Sequence, residues 1–157
     1  AGIYYKKCTL WREFWEDILE PELRRNHHVS PVHSLDEILD LKSKFENNIH
    51  LYGVFSGEEL LGGTVIFTDK QTAHAQYICV KTEHKEKKAL QLLFYKLITE
   101  EFKKYHFFDF GISNENNGKA LNRGLLYWKE GFGARGVSQD FYKIPTQNFN
   151  LIEKMYI

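Results

Sequence analysis

At 157 residues, with 43% apolar and 15% aromatic content, the chain has enough apolar mass for the core of one domain. Lys plus Arg and Asp plus Glu stand at 21 each, which excludes the bulk positive field of a nucleic-acid binder and leaves only a local basic patch open. Cys8 and Cys79 are too few for a disulfide framework and point to a reduced, cytoplasmic setting, and no apolar run reaches the ~18 residues of a membrane span.

Ile3 to Cys8 predicts a strand, Tyr4 and Tyr5 favouring extended backbone. Thr9 is placed to cap a helix that buries Leu10, Phe14, Ile18 and Leu19, with Trp11 and Trp15 flanking the stripe. Pro21 either ends that helix or opens a second in its first turn. His27-His28 invites a metal reading, but adjacent side chains on a helix diverge and no carboxylate or Cys stands at ligand spacing, so the pair reads as a solvated exit. Ser34-Leu35-Asp36-Glu37 is a capping box opening a helix through about Phe45, with Val32 set to staple against Ile38. His33 lies just outside that start, where it either satisfies a backbone group or faces a site.

From Ile49 the period changes to strands: Ile49 to Phe55, a turn at Ser56-Gly57-Glu58-Glu59, Leu60 to Thr68, a turn at Asp69-Lys70-Gln71, and Thr72 to Val80. Gly62 and Gly63 predict a bulge or the close approach of another backbone. On the third of these strands, strict alternation puts His74, Gln76, Ile78 and Val80 on one face and Ala73, Ala75, Tyr77 and Cys79 on the other. His74 and Gln76 then read either as a satisfied pair within the sheet or as site residues, and Tyr77 as core.

A charged turn from Lys81 to Lys88 leads into a helix with the stripe Leu90, Leu93, Phe94, Leu97, Ile98 and Phe102. Phe107 to Phe110 reads as a short buried strand, parallel to the one ending at Val80 because a helix joins them. After the Asn/Gly-rich loop, Leu121, Leu125, Trp128 and Phe132 predict a closing helix, stopped by Gly131 and Gly133. Gly136 to Ile144 predicts a last antiparallel strand ended by Pro145, giving one domain over 1–145 and a tail over 146–157 with a short helix at Leu151 to Tyr156.

Four motifs now stand in order: Pro31-Val32-His33-Ser34, His74-Ala75-Gln76-Tyr77, Asp109-Phe110-Gly111-x-Ser113 and Tyr127-Trp128-Lys129-Glu130-Gly131-Phe132-Gly133. Together they resemble the GNAT acyltransferases, and within them the FemAB-like branch, over roughly residues 10 to 144. The resemblance implies an α+β GNAT fold, a mixed, mostly antiparallel twisted sheet flanked by helices, and N-acyl transfer to an amine in a cleft where the third and fourth strands of that sheet splay apart. It implies acyl-CoA or aminoacyl-tRNA as donor, hence tRNA as a candidate partner, and a small molecule or peptidoglycan precursor as acceptor. FemAB-like proteins commonly carry two such domains in tandem, and the opening Ala1-Gly2 in place of Met suggests that an upstream GNAT domain precedes this one. A non-catalytic half of such a tandem protein is the alternative.

In that frame the donor meets the strand end at Ile78 and Val80 and the junction at Lys85, Lys88 and Ala89. The family's glycine-rich loop is missing there, since no glycine occurs between Gly63 and Gly111. Tyr127 matches the tyrosine that protonates a leaving thiolate and Lys129 the lysine that stabilises developing charge; about 200° apart on a helix, at most one of them faces the cleft. Asp109 is either a general base, the group that orients one, or a loop cap. His33, His74, Gln76, Ser113 and Arg135 are the substrate-side candidates, with a turn role open for Ser113 and a salt bridge to Glu130 for Arg135. No metal is called for.

Overall fold

The computed structural model describes residues 2–143 and 145–147 and is built on a five-stranded sheet in the order β1-β2-β3-β4-β5. β1 (Ile3–Cys8), β2 (Ile49–Ser56), β3 (Glu59–Thr68) and β4 (Thr72–Val80) pair antiparallel in turn, and β5 (Phe107–Asp109) joins β4 in parallel. The turns follow from their residues. Gly57 takes a positive φ of 60° between β2 and β3, and Asp69 Oδ1 accepts the N–H groups of Gln71 and Thr72, each at 2.7 Å, between β3 and β4.

One sheet face packs under α1 (Trp11–Phe14), a π turn at Trp15–Leu19, α2 (Glu20–His27) and α3 (Leu35–Lys44). The other packs under α4 (Ala89–Lys96) and its π-helical extension Leu97–Glu101, with Phe94 at the centre. The first helix starts at Trp11 with Leu10 as its uncapped N-cap, so Thr9 caps nothing. Trp11, Phe14, Trp15, Ile18 and Leu19 are all buried, making the two tryptophans core rather than flank. The π turn, in which Glu20 N–H reaches Trp15 O, carries the chain through Pro21 without ending the helix, because the widened turn precedes the residue that has no N–H.

The Ser34–Glu37 capping box forms as read, with Ser34 N–H to Glu37 Oε2 at 2.7 Å and Glu37 N–H to Ser34 Oγ at 3.3 Å. Val32 forms no staple; it is exposed, since the chain before the box is tied by His33 N–H to the Tyr77 hydroxyl instead of folding back on Ile38. Phe45, where that helix was expected to end, is its C-cap and is exposed.

Two further departures shape the site. Val65 pairs with Tyr77 but Ile66 with Ala75, so Gln76 is an extra residue in β4, a bulge. It shifts the phase of alternation: Ala73 and Ala75 lie on the α4 side with Ile78 and Val80, while His74, paired with Phe67, shares the α3 side with Tyr77 and Cys79. The strict alternation expected for this strand is thereby corrected.

Beyond β5, β6 (Asn114–Glu115) and β7 (Ala120–Leu121) form a two-stranded ribbon, and α5 (Arg123–Glu130) opens on Asn122, whose Oδ1 accepts Leu125 N–H at 2.9 Å. Leu121 therefore belongs to the ribbon and is exposed, and Leu125 is only partly covered; the packed stripe reduces to the half-buried Trp128, edge-on to Phe94 and Phe110, and Phe132, stacked on Phe110. The strand expected from Gly136 is absent over 136–143, where Val137, Phe141 and Tyr142 are exposed, because an extended segment becomes a strand only beside an edge that bonds it. Ile144 and the helix expected at 151–156 lie outside the described residues. Among those described, no helix is long and apolar enough to cross a membrane.

Candidate active site

β4 and β5 pair only from Thr72–Phe107 to His74–Asp109. Past that point β4 continues to Val80 with β3 alone, while the other chain turns away at Gly111, whose φ of 69° suits a glycine. The wedge opens toward a cleft of about 230 Å³ lined by Val80, Lys85, Ala89, Leu90, Gln91 and Trp128. Val80, Lys85 and Ala89 were expected there; Ile78 lies against the α4-side core beside them. Leu90, Gln91 and Trp128 were missed, because spacing alone reads all three as helix surface or stripe.

Lys88 lines no part of this cleft but shapes its floor. With φ of 52° it occupies the left-handed region that a glycine enters without strain, so the turn a glycine-rich loop would make is made without one. α4 begins directly after it with no side-chain cap, and its first N–H groups, at Ala89, Leu90 and Gln91, have no acceptor within the helix.

The turn that carries Lys85 is anchored from beneath. Glu22 on α2 is 5% exposed and accepts from Thr82 Oγ1 (2.6 Å), Thr82 N–H (3.1 Å), Asn26 Nδ2 (2.9 Å) and Arg25 NH1 (3.0 Å). Burial pushes its carboxyl up, but the Thr82 and Asn26 hydrogen bonds and the Arg25 charge outweigh that and hold it below the ordinary glutamate value. The signal for Glu22 was available: it continues the buried spacing of Trp11, Trp15, Ile18 and Leu19 by one more turn.

On the other side of β4, the bulge gathers four expected residues with one taken for core. Asp109 Oδ2 accepts from His74 Nδ1 at 2.8 Å, His74 Nε2 meets Gln76 Oε1 at 3.1 Å, and His33 Nδ1 lies 2.6 Å from the Tyr77 hydroxyl. His74 is thus held at both ring nitrogens, by the Asp109 carboxylate on one side and the Gln76 side chain on the other. Asp109 Oδ1 accepts Gly111 N–H at 2.7 Å, so both carboxylate oxygens are engaged, one on His74 and one on the loop that follows β5.

Lys129 is the buried cation of the site, 4% exposed, with Nζ donating to the carbonyls of Gly111 (3.0 Å) and Ile112 (2.6 Å). Burial lowers its pKa below the ordinary lysine value, and Asp109 partly restores it. The structure does not bring Tyr127 to the same place: it is 80% exposed, turned out by the helical offset from Lys129. Ser113 contributes its carbonyl to Asn122 N–H, a turn role, and the Arg135 guanidinium folds onto Ala134 O without an ion pair to Glu130 among the described residues. A larger hollow of about 560 Å³ lies at the far end of β2 and β3, around Phe45, Ile49 and Phe67, and contains none of the candidate residues.

A mixed sheet that splits between β4 and β5, with an uncapped helix start at the split, is the GNAT acetyltransferase fold. A possible acetyltransferase from Clostridium difficile 630 superposes with a TM-score of 0.63 at 10% identity, over 91% of this chain and 97% of its own. AAC(6')-Iy in complex with the bisubstrate analogue CoA-S-monomethyl-acetylneamine gives 0.62 at 11%, over 92% and 99%. A GNAT family acetyltransferase from Elizabethkingia anophelis with acetyl-CoA bound gives 0.55 at 18%, over 87% and 78%. No protein-family model matches the sequence, and neither does any curated protein.

Proposed function

We propose that this chain is an N-acyltransferase that moves an acyl group from acyl-CoA to the amine of a small molecule. The observation that carries the reading is the parting of β4 from β5 after three residue pairs, beside a cleft floored by the unpaired amides of α4. Those amides and Lys85 suit the phosphates of the donor, and Trp128 and Val80 offer apolar wall to its arm. Acyl-CoA is preferred over aminoacyl-tRNA because structural neighbours were solved with acetyl-CoA and with a coenzyme A bisubstrate analogue. Neighbours that are aminoglycoside acetyltransferases, one in complex with sisomicin, support a small-molecule acceptor.

In the reaction the amine lone pair forms the C–N bond, the C–S bond breaks with its electrons on sulfur, and the amine proton passes to solvent or a base. This chain's own contribution is positioning and charge. Lys129, anchored by two carbonyls beside the wedge, stabilises negative charge there, and Asp109 with His74 holds the strand end that faces it. The FemAB-like assignment, with an upstream domain and a peptidoglycan-type acceptor, belongs to this proposal and rests on the four sequence motifs.

Lys129→Met, which keeps most of the stem and removes the charge, is the test. Transfer from acetyl-CoA falls by about a hundredfold or more, while acetyl-CoA binding by calorimetry stays within a few-fold of the unaltered chain. Full activity in the variant refutes the role of Lys129; failure of the unaltered chain to bind acetyl-CoA refutes the donor and favours the non-catalytic alternative.

A further inference from the structure

The turn that carries Lys85 to the cleft, Thr82–Lys87, is a 3-10 helix with no buried residue, so polar ties rather than apolar packing must fix it. Glu22 takes its Thr82 end. A second carboxylate takes its middle: Glu59 Oε1, at the start of β3, lies 2.9 Å from His84 Nε2. His84 is the one residue of the turn that is not exposed, its side chain 12% exposed, and its Nδ1 is buried without a partner among the described residues. The bond to Glu59 is therefore the ring's single hydrogen bond there.

An ionised carboxylate only accepts, so Nε2 donates whatever the charge on the ring. Chiefly this bond, and further the nearby charges of Lys81 and Lys87, hold the Glu59 carboxyl below the ordinary glutamate value. Lys81 Nζ stands 3.7 Å from the same oxygen. Glu59 can reach the turn because the start of β3 runs beside the end of β4: Gly62 pairs with Val80, and Leu61 O accepts Lys81 N–H at 2.9 Å where the chain leaves the sheet. Within the turn, His84 N–H reaches Lys81 O at 2.9 Å and Lys88 N–H reaches Lys85 O at 3.2 Å. Fixing the ring of His84 thus fixes the backbone that leads directly into Lys85.

Glu22 at residue 82 and Glu59 at residue 84 together secure the approach to Lys85, which lines the cleft, and to the left-handed Lys88, from which α4 starts. We infer that His84 and Glu59 are positioning residues for the donor: their bond pins the turn to the start of β3, so that Lys85 and the first amides of α4 stand preformed for the donor's phosphates. The pinning is a property of the turn; its use for the donor rests on the acyltransferase reading.

The test has two arms, both on the full chain. Amide hydrogen exchange without ligand reads the clamp: His84→Ala speeds exchange at residue 84 and at Lys88 by about fivefold or more, while the ladder amides of β3 and β4 keep their rates. His84→Gln, whose side-chain N–H has the reach of Nε2, restores the slow exchange. Unchanged rates at these two amides, or a rise shared equally by the ladders, overturn the clamp. Calorimetry with acetyl-CoA reads its use. Kd rises about fivefold in His84→Ala and in Glu59→Ala, rises no further in the double variant because the two act through one bond, and returns to within about twofold in His84→Gln. Affinity that is unchanged in both single variants, or lost additively in the double one, overturns the positioning role. If the unaltered chain binds no acetyl-CoA, the donor reading fails and the positioning role falls with it, while the exchange rates alone uphold or overturn the clamp.

Discussion

Glu22→Gln isolates what one buried carboxylate does for the donor loop. The substitution keeps shape but replaces an acceptor oxygen by an NH2 group among four donors. In the better amide orientation the Thr82 hydroxyl reverses to accept, Thr82 N–H keeps an oxygen, and Asn26 loses its partner. A hydrogen bond to a charged group is worth about 1.5–3 kcal/mol. The Arg25 side chain is 57% exposed, so its share is screened and small. The loss is then about 2–3 kcal/mol, which for a chain of this size lowers the thermal midpoint by roughly 4–12 °C.

The pH dependence has a definite sign. The folded carboxyl lies below its unfolded value, so the unfolded state binds the proton first and the native state is favoured above the ordinary glutamate range. That advantage is lost as pH falls through the folded value, so the gap between the unaltered chain and the variant narrows in acid. Thermal melts followed by circular dichroism at pH 7 and at descending pH measure it. Coincident midpoints at pH 7, or a gap that does not shrink in acid, refute the reasoning. Weaker acetyl-CoA binding accompanies the stability loss, because Thr82 opens the turn above the cleft.

Further consequences are simpler. Gly62→Ala places a Cβ 2.5 Å from Cys79 O and 2.7 Å from Val80 Cα, both backbone, so β3 or β4 must move; a loss of about 1–3 kcal/mol in urea unfolding is expected. Tyr127→Phe leaves transfer and stability unchanged in side-by-side assays, since the ring stands in solvent. The Cys79 thiol is pushed up to about 12, chiefly by burial and then by the Glu22 carboxylate; at pH 8 it resists a disulfide reagent in the native protein and reacts once urea exposes it. Ser34→Ala removes the cap of α3 and costs about 1 kcal/mol, read as a lower denaturation midpoint.

Much of the sheet was legible because its signals are local. The turns at Gly57 and Asp69, the capping box at Ser34 and the period-two runs between Ile49 and Val80 need no distant partner to be recognised. The candidate site was legible as motifs but not as geometry. Lys129 and Tyr127 are two residues apart on one helix, and helical rotation predicts that they diverge; which of them enters depends on where Phe94 and Phe110 receive Trp128 between them. Tyr77 looked like core and is buried, yet its hydroxyl reaches His33 across 44 positions of sequence.

What the sequence by itself determined is the order and kind of elements, since caps, turns and apolar periods act over a few residues at a time. Only tertiary structure decided the phase of β4, because one extra residue opposite Val65 and Ile66 swings His74 to the side of Tyr77, and no pattern within the strand announces it. The same holds for the run from Gly136, strand-like in composition but in no strand over 136–143. Hydrogen-bond ladders are made between segments, and a segment's own residues do not say whether an edge will be there to meet them.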